Sequence, residues 1–300
     1  MTKNNSTSMV VLALSVNLFI SIVKFFIWGL TGSSAFFSEG VHSLVDSINQ
    51  GMLWYGQKKS YAGPDARYPL GRGKEEYFWA LVVAVVFFTL GGVVSIQHGV
   101  EALKHPRVLE NLPVSIFVLV ISIFLETYVL IRAIKVLKHK KKAGKTILRL
   151  LKESTEGSLI ALIVEDFAAT LGLFIALVGV STAYFTGNSI FDGLSSIFIG
   201  ILLMGSGLFL GFEMKHLIVG ESVNNDTKIS IRNLILSNSS VKEVKNLQVV
   251  IIGNNKYLVL GDIDYIDELD DRAISEANKQ ITQDLKSRES SVAQVFLNTV

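Results

Sequence analysis

The chain has 300 residues, of which 50% are hydrophobic and 18% are charged, and its formal net charge at pH 7 is +2. Soluble domains carry about 25% charged residues, so much of this chain's surface faces something other than water. The small net charge gives no electrostatic support for nucleic-acid binding, and the absence of cysteine excludes disulfides and thiolate metal sites.

Six apolar stretches are each long enough to cross a bilayer core, which takes roughly 20 residues of helix. They are Met9–Leu30, Ala35–Tyr55, Tyr77–Val100, Pro113–Leu137, Ser158–Phe185 and Ile190–Leu210. The polar residues before the first stretch do not resemble a transit peptide, and no cleavage site follows that stretch. We therefore predict an α-helical polytopic membrane protein with six transmembrane helices.

Basic residues cluster in two of the links between these helices. The links after the second and the fourth stretch are rich in Lys and Arg, whereas the remaining links contain only Lys104 and Arg107. Cytoplasmic loops carry such an excess of basic residues. We predict that both termini are cytoplasmic and, because no transit peptide is evident, that the membrane is a prokaryotic plasma (inner) membrane.

The character of the sequence changes after about residue 219, where polar and apolar residues become mixed. Predicted helices cover Asp226–Leu236 and Asp270–Leu285, and predicted strands cover Val241–Ile252, Tyr257–Ile266 and Val292–Val300. This order predicts a small α+β (αββαβ) layer. We assign residues 1–219 to a transmembrane domain and residues 220–300 to a cytoplasmic dimerisation domain.

Ionisable side chains are expensive inside a bilayer, so each one suggests a function. The predicted helices contain Asn17 and Lys24 in the first, Glu39, His42 and Asp46 in the second, Glu126 in the fourth, and Glu165 and Asp166 in the fifth. Spacings of three and four residues place the second-helix set on one face. Imidazole and carboxylate ligands without thiolate suit zinc, manganese or iron(II).

These residues predict a site for a divalent cation that is a transported substrate and not a resident cofactor. We expect His42, Asp46 and Asp166 to bind the ion. Glu126 is a further ligand or a proton carrier, with an interhelical hydrogen bond as its structural alternative.

Three of these residues have other structural alternatives. His42 and Asp46 could form a buried hydrogen bond that only fixes helix packing. Glu165 lies about 100° around the helix from Asp166, so we favour Glu165 as a partner for Lys24 or for a neighbouring helix. Lys24 is expected to neutralise one of the buried carboxylates.

Small residues recur along the sixth predicted helix. Gly207 and Gly211 form a small-xxx-small pair, and Gly200 and Gly205 precede them. Such residues let helix backbones approach closely in membranes, so we predict close packing at these glycines.

Several motifs resemble those of the cation diffusion facilitator family, over nearly the whole chain. The family's second-helix signature resembles GSSAFFSEGVHSLVD, its approach to the third helix resembles YPLGRGKEEYFWAL, and its sixth helix resembles IFDGLSSIFIGILL. Asp166 followed by Thr170 is similar to the family's fifth-helix pattern. SEGVHSLVDSINQ and VEDFAATLG are most similar to the zinc transporter nine-like branch, whose animal members are mitochondrial.

The resemblance implies a homodimer, without enzymatic activity, that exports cytoplasmic metal in exchange for protons. It places His42, Asp46 and Asp166 in three of the four ligand positions of the transport site. The fourth position, commonly histidine or aspartate, falls at Leu162. Candidates to complete the site are Glu126, Glu165, Asn17 and water.

The open face of the predicted sheet, or an apolar edge of the second domain, is the expected dimer contact. We expect Val249, Val259 and Phe296 to be buried there against the second copy. Protons, the bilayer and the second copy are then the partners of the chain.

Two other functions account for part of the sequence. A membrane-embedded metalloenzyme could hold a catalytic zinc at His42, Asp46 and Asp166, although no H-E-x-x-H pairing occurs. A membrane-anchored metal sensor or scaffold would make the C-terminal domain the working part, but it would leave the buried ionisable groups unexplained. Metal flux into sealed vesicles, with or without a pH gradient, separates all three hypotheses.

Overall fold

A computed structural model of the chain describes residues 3–106, 111–139, 146–152, 154–253, 255–267 and 269–300. The chain divides into two compact units. The first consists of Met1–Lys58, Phe78–Lys152 and Gly157–Met214, and the second of Lys59–Tyr77, Glu153–Glu156 and Lys215–Val300. The second unit thus includes three segments of the predicted transmembrane domain, 59–77, 153–156 and 215–219.

Helices make up the first unit. They are α1 (Lys3–Thr31), α2 (Ser34–Ser60), α3 (Glu75–Val86), α4 (Val94–Lys104), α5 (Leu112–His139), α6 (Ile147–Lys152), α7 (Gly157–Thr186) and α8 (Ile190–Val219). A π-helical segment, Phe87–Val93, joins α3 to α4. Each of the six apolar stretches lies within one of these helices or within the continuous α3–α4 helix, whereas the short helix α6 was not expected.

Among the described residues, four helices are long and apolar enough to cross a membrane. They are Glu75–Lys104, Pro113–Lys138, Gly157–Thr186 and Ile190–Val219, and a shorter apolar helix covers Asn17–Thr31. We attribute the absence of α2 from this set to its polar residues, Glu39, His42 and Asp46 among them. A helical, membrane-type domain is therefore present, and the number of six spans stays a prediction.

Glycines set the packing of α8 against the continuous α3–α4 helix. A Cβ atom placed on Gly200 would lie 2.7 Å from the carbonyl oxygen of Gly92, and one on Gly207 would lie 2.8 Å from a carbonyl oxygen of α3. These two positions confirm the predicted close packing. Gly211 makes only ordinary contacts at 3.8 Å, and the prediction is wrong for Gly205, where no described atom lies within 4 Å of such a Cβ.

The second unit contains a three-stranded sheet with two helices. Its elements are α9 (Asn225–Leu236), β1 (Val241–Gly253), β2 (Lys256–Tyr265), α10 (Asp271–Arg288) and β3 (Val292–Thr299). Strand β1 pairs antiparallel with β2, and β2 pairs parallel with β3, so the sheet order is β1-β2-β3. The side chains of Asn224 and Asp270 cap the first turns of α9 and α10.

The two faces of this sheet differ in burial. Val249 and Val259 oppose each other across β1 and β2 and are 1% and 0% exposed, so they belong to the core of the unit. The expectation that they are buried only against a second copy is wrong, because they lie on the face of the sheet that is already covered within the unit. Phe296, on the other face, is 56% exposed.

Asp65 organises the segment Lys59–Tyr77 of the second unit. Its carboxylate accepts hydrogen bonds from the backbone N–H groups of Arg67 and Tyr68, at 2.9 and 2.7 Å, and from the Arg72 guanidinium at 2.9 Å. The hydrogen bond from Arg72, followed by the one from Tyr68, lowers the pKa of Asp65. This ordered segment follows α2, the helix that carries most of the predicted site.

Candidate metal centre

Helix α2 presents a line of polar side chains to the interior of the first unit. They are Glu39, His42, Ser43, Asp46 and Asn49. All are buried except Asp46, whose side chain is 14% exposed. Spacings of three and four residues put these positions on one helical face, as the sequence predicted.

His42 and Asp46 lie side by side without forming a hydrogen bond. The Nδ1 atom of His42 is 3.5 Å from Oδ1 of Asp46. Both ring nitrogens of His42 and the Oδ1 atom of Asp46 lack a hydrogen-bond partner within the described structure. The imidazole packs against the ring of Phe87, with centroids 5.4 Å apart. The pair therefore does not form the buried hydrogen bond of the structural alternative.

Helix α7 adds two buried carboxylates, of which Glu165 lies near this pair. Asn49 donates a hydrogen bond of 2.7 Å to Oε1 of Glu165, and the carboxyl groups of Glu165 and Asp46 lie within hydrogen-bonding distance of each other. Asp166, the next residue, is also buried, and its Oδ2 atom has no partner among the described atoms. Glu165 is thus a neighbour of the predicted ligand Asp46. Its partner is the neighbouring helix α2, one of the two expected partners, and not Lys24, the other.

The partner of Lys24 is Glu39. The Lys24 ammonium lies 3.0 Å from Oε2 of Glu39 and donates a hydrogen bond of 2.8 Å to Oγ of Ser43. Lys24 and Glu39 are 3% and 0% exposed. The expectation that Lys24 neutralises a buried carboxylate is confirmed, and the contact joins α1 to α2.

Glu126 of α5 is half-buried. It interacts electrostatically with Lys24, Glu39, Asp46, Glu165 and Asp166. In the part of the chain that the structure describes, no three His, Asp or Glu side chains are arranged to hold one metal ion together. The predicted ligand set of His42, Asp46, Asp166 and Glu126 therefore stays a prediction.

Asp192 of α8 fixes the start of α2, a role that was not predicted from the sequence. Its carboxylate accepts a 2.5 Å hydrogen bond from the hydroxyl of Ser33 and further bonds from the backbone N–H groups of Ser34 and Ala35. A carboxylate at a helix N-terminus satisfies free N–H groups and interacts favourably with the helix dipole. The only sequence signal for this role was a lone aspartate in the apolar stretch IFDGLSS. That aspartate anchors the helix that carries His42.

The composition of the group suits a cation. The residues named above include five carboxyl groups, those of Glu39, Asp46, Glu126, Glu165 and Asp166, together with one ammonium group and one imidazole. Each charged side chain at bilayer depth costs roughly 3 kcal/mol on insertion scales. The unpartnered atoms of His42, Asp46, Glu165 and Asp166 are all nitrogen or oxygen, and such ligands suit hard or borderline divalent cations.

The family of the chain follows from its sequence similarity. Residues 10–218 match the family model described as the cation efflux transmembrane domain. The chain belongs to the cation efflux family. This match covers every residue of the candidate metal centre, and it confirms the resemblance to cation diffusion facilitators on which the ligand assignment rests.

Three relatives illustrate the range of the family. The mitochondrial proton-coupled zinc antiporter SLC30A9 of Mus musculus is 32% identical over 85% of this chain and 45% of its own length. Metal tolerance protein C4 of Arabidopsis thaliana is 30% identical over 87% of this chain and 57% of its own length. The manganese efflux system protein MneP of Bacillus subtilis is 23% identical over 98% of this chain and 95% of its own length.

The similarity to SLC30A9 confirms the predicted relation to the zinc transporter nine-like branch. This chain spans about half the length of the mouse and plant relatives. The family model and the names of SLC30A9 and MneP describe transport and not enzymatic chemistry, which argues against the membrane-embedded metalloenzyme.

Proposed function

We propose that this protein moves divalent transition-metal cations, zinc first among them, across a membrane in exchange for protons. The observation that carries this proposal is the group of buried, unpartnered nitrogen and oxygen atoms on α2 and α7, at His42, Asp46, Glu165 and Asp166. A passing cation would neutralise charges that otherwise only destabilise the helices.

The proposed exchange follows from the chemistry of the ligands. Binding a metal requires a neutral imidazole and ionised carboxylates, so the ion displaces protons when it binds. Protonation of the same groups from the more acidic side then expels the ion. His42, Asp46 and Asp166 are the proposed direct ligands, and Glu126 and Glu165 are the proposed helpers.

Zinc is placed first because His42 provides an imidazole nitrogen, which suits zinc, and because the mouse relative is named as a zinc antiporter. Manganese is the second candidate. Carboxylate oxygens suit manganese, the fourth family ligand position is Leu162, and one relative is named for manganese efflux.

Metal flux into sealed vesicles tests the proposal. The purified chain is reconstituted into liposomes that contain a metal-sensitive dye. Zinc is added outside, either without a pH gradient or with the vesicle interior more acidic than the outside. We expect zinc uptake that exceeds that of protein-free vesicles and is accelerated by the gradient, with alkalinisation inside as protons leave. Zinc uptake at the same rate with and without the gradient would rule out proton exchange. Absence of both zinc and manganese flux would favour the sensor or scaffold.

For the arrangement in the membrane, we propose six spans with both termini in the cytoplasm of a prokaryotic cell. The two Lys- and Arg-rich links support this topology. Because the chain contains no cysteine, Asn188→Cys gives a single thiol in the turn between α7 and α8. We expect a membrane-impermeant maleimide to label it in intact cells, and labelling only after lysis would show the opposite orientation.

We also propose that the protein works as a homodimer. Its second unit leaves Phe296 exposed on the outer face of the sheet, and the neighbouring outward positions Leu258 and Leu260 are apolar and half-buried. A second copy would cover this surface. A monomeric mass by light scattering in mild detergent would contradict the dimer.

A further inference from the structure

The ion pair of Lys24 and Glu39 lies immediately beside the candidate metal centre. Glu39 precedes His42 by three residues, which is about 4.5 Å along the helix axis. The pair is fully enclosed, and the ammonium also donates a hydrogen bond of 2.8 Å to the hydroxyl of Ser43. Lys24 thus provides a fixed positive charge one turn from the proposed ligands.

Glu39 has the position and the free atom of a metal ligand. Its Oε2 atom contacts Lys24, whereas its Oε1 atom is buried and has no hydrogen-bond partner among the described residues. Oε1 faces α7, because a Cβ atom placed on Gly172 would lie 2.9 Å from it. The carboxylate is therefore turned towards the helix that carries Asp166, and only the ammonium engages it.

We propose that Lys24 is a specificity-determining residue, because its ammonium withholds the Glu39 carboxylate from the transported ion. This inference rests on the proposed function. With Glu39 engaged, the ion meets one imidazole nitrogen and a limited number of oxygens, a set that suits four-coordinate zinc. With Glu39 released, the site gains oxygen ligands, which suit manganese and its higher coordination number.

The electrostatic reach of Lys24 supports this role. Its charge acts on Glu39, Glu126 and Asp46, and it also acts on His42. The ammonium therefore acts on two of the proposed ligands, His42 and Asp46, as well as on Glu39. Packing alone would not require a charged group at this position of α1, since a methionine fills a similar volume.

The test compares zinc and manganese uptake by vesicles that contain the full chain. We expect Lys24→Met to lower the zinc-to-manganese uptake ratio about tenfold, which corresponds to roughly 1.4 kcal/mol of specificity. Lys24→Arg retains the positive charge and should keep the wild-type ratio. The double variant Lys24→Met with Glu39→Gln removes the released carboxylate and should restore the ratio to within about twofold of wild type.

These variants separate a specificity role from a structural one. A ratio that stays at the wild-type value in Lys24→Met, or a double variant that behaves as Lys24→Met does, would overturn the inference. If Lys24→Met does not reconstitute, Lys24→Gln removes the charge and retains a hydrogen-bonding group for Ser43. The zinc-to-manganese uptake ratio of Lys24→Gln then tests the inference in the same way. Wild-type vesicles that take up neither ion would overturn the proposed function, whereas wild-type flux with unchanged ratios would overturn only the role of Lys24.

Discussion

Replacing Asp46 or Asp166 by alanine is expected to abolish zinc uptake by reconstituted vesicles. Each carboxylate is a proposed direct ligand, and each has a buried oxygen without a partner among the described residues. Loss of a group that merely orients a ligand typically costs 10–100-fold in metal affinity, so loss of a ligand should cost at least about 100-fold. Dye-reported uptake at fixed zinc concentration, with and without the pH gradient, measures the effect.

A matched control excludes a general effect of charge removal. Glu276 is an exposed acid on α10 of the second unit, 3.8 Å from Lys279, and Glu276→Gln should transport zinc as the wild type does. Asp46→Asn and Asp166→Asn preserve the side-chain volume, so normal yield and elution of these variants would show that lost uptake is not lost folding. Wild-type uptake by both alanine variants would reject the site assignment.

The helices and the polar face of α2 were predictable because both depend on local sequence. Apolar stretches of roughly 20 residues identify membrane helices, and the positions of Glu39, His42 and Asp46 fix their common face through the helical period. The predicted strands Val241–Ile252, Tyr257–Ile266 and Val292–Val300 agree with β1, β2 and β3 to within one residue at each end.

The pairing of the buried charges was not predictable, because it depends on how each helix is rotated against its neighbours. The sequence offered both Glu39 and Glu165 as partners for Lys24. The structure shows that Lys24 of α1 faces Glu39 of α2, and that Glu165 of α7 faces Asn49 and Asp46 instead. A rotation of α7 by one residue, about 100°, would exchange the roles of Glu165 and Asp166.

Two further features depend on contacts between distant segments. Asp192 caps α2 from 158 positions away in the chain, and no local pattern links an acidic residue of α8 to the start of α2. Val249 and Val259 were assigned to the wrong face of the sheet, because alternation defines two faces but does not say which one the helices cover.

Introducing leucine at Gly200 is expected to prevent recovery of folded protein, whereas leucine at Gly205 on the same helix is expected to be tolerated. A Cβ atom on Gly200 would lie 2.7 Å from the carbonyl oxygen of Gly92 and 2.9 Å from the backbone nitrogen of Ile96. Backbone atoms cannot rotate away as a side chain can, so α8 would have to separate from the π-helical segment and α4. Overpacking of this kind costs about 1–3 kcal/mol, and more when the backbone is rigid.

Gly205 provides the matched control because it is exposed and no described atom lies within 4 Å of its Cβ position. Leucine there replaces a helical glycine and should stabilise the helix by up to about 1 kcal/mol. The readout is the fraction of detergent-solubilised protein that elutes as a single peak after heating steps. Equal thermal resistance of Gly200→Leu and Gly205→Leu would show that α8 does not pack as tightly against Gly92 as the structure indicates.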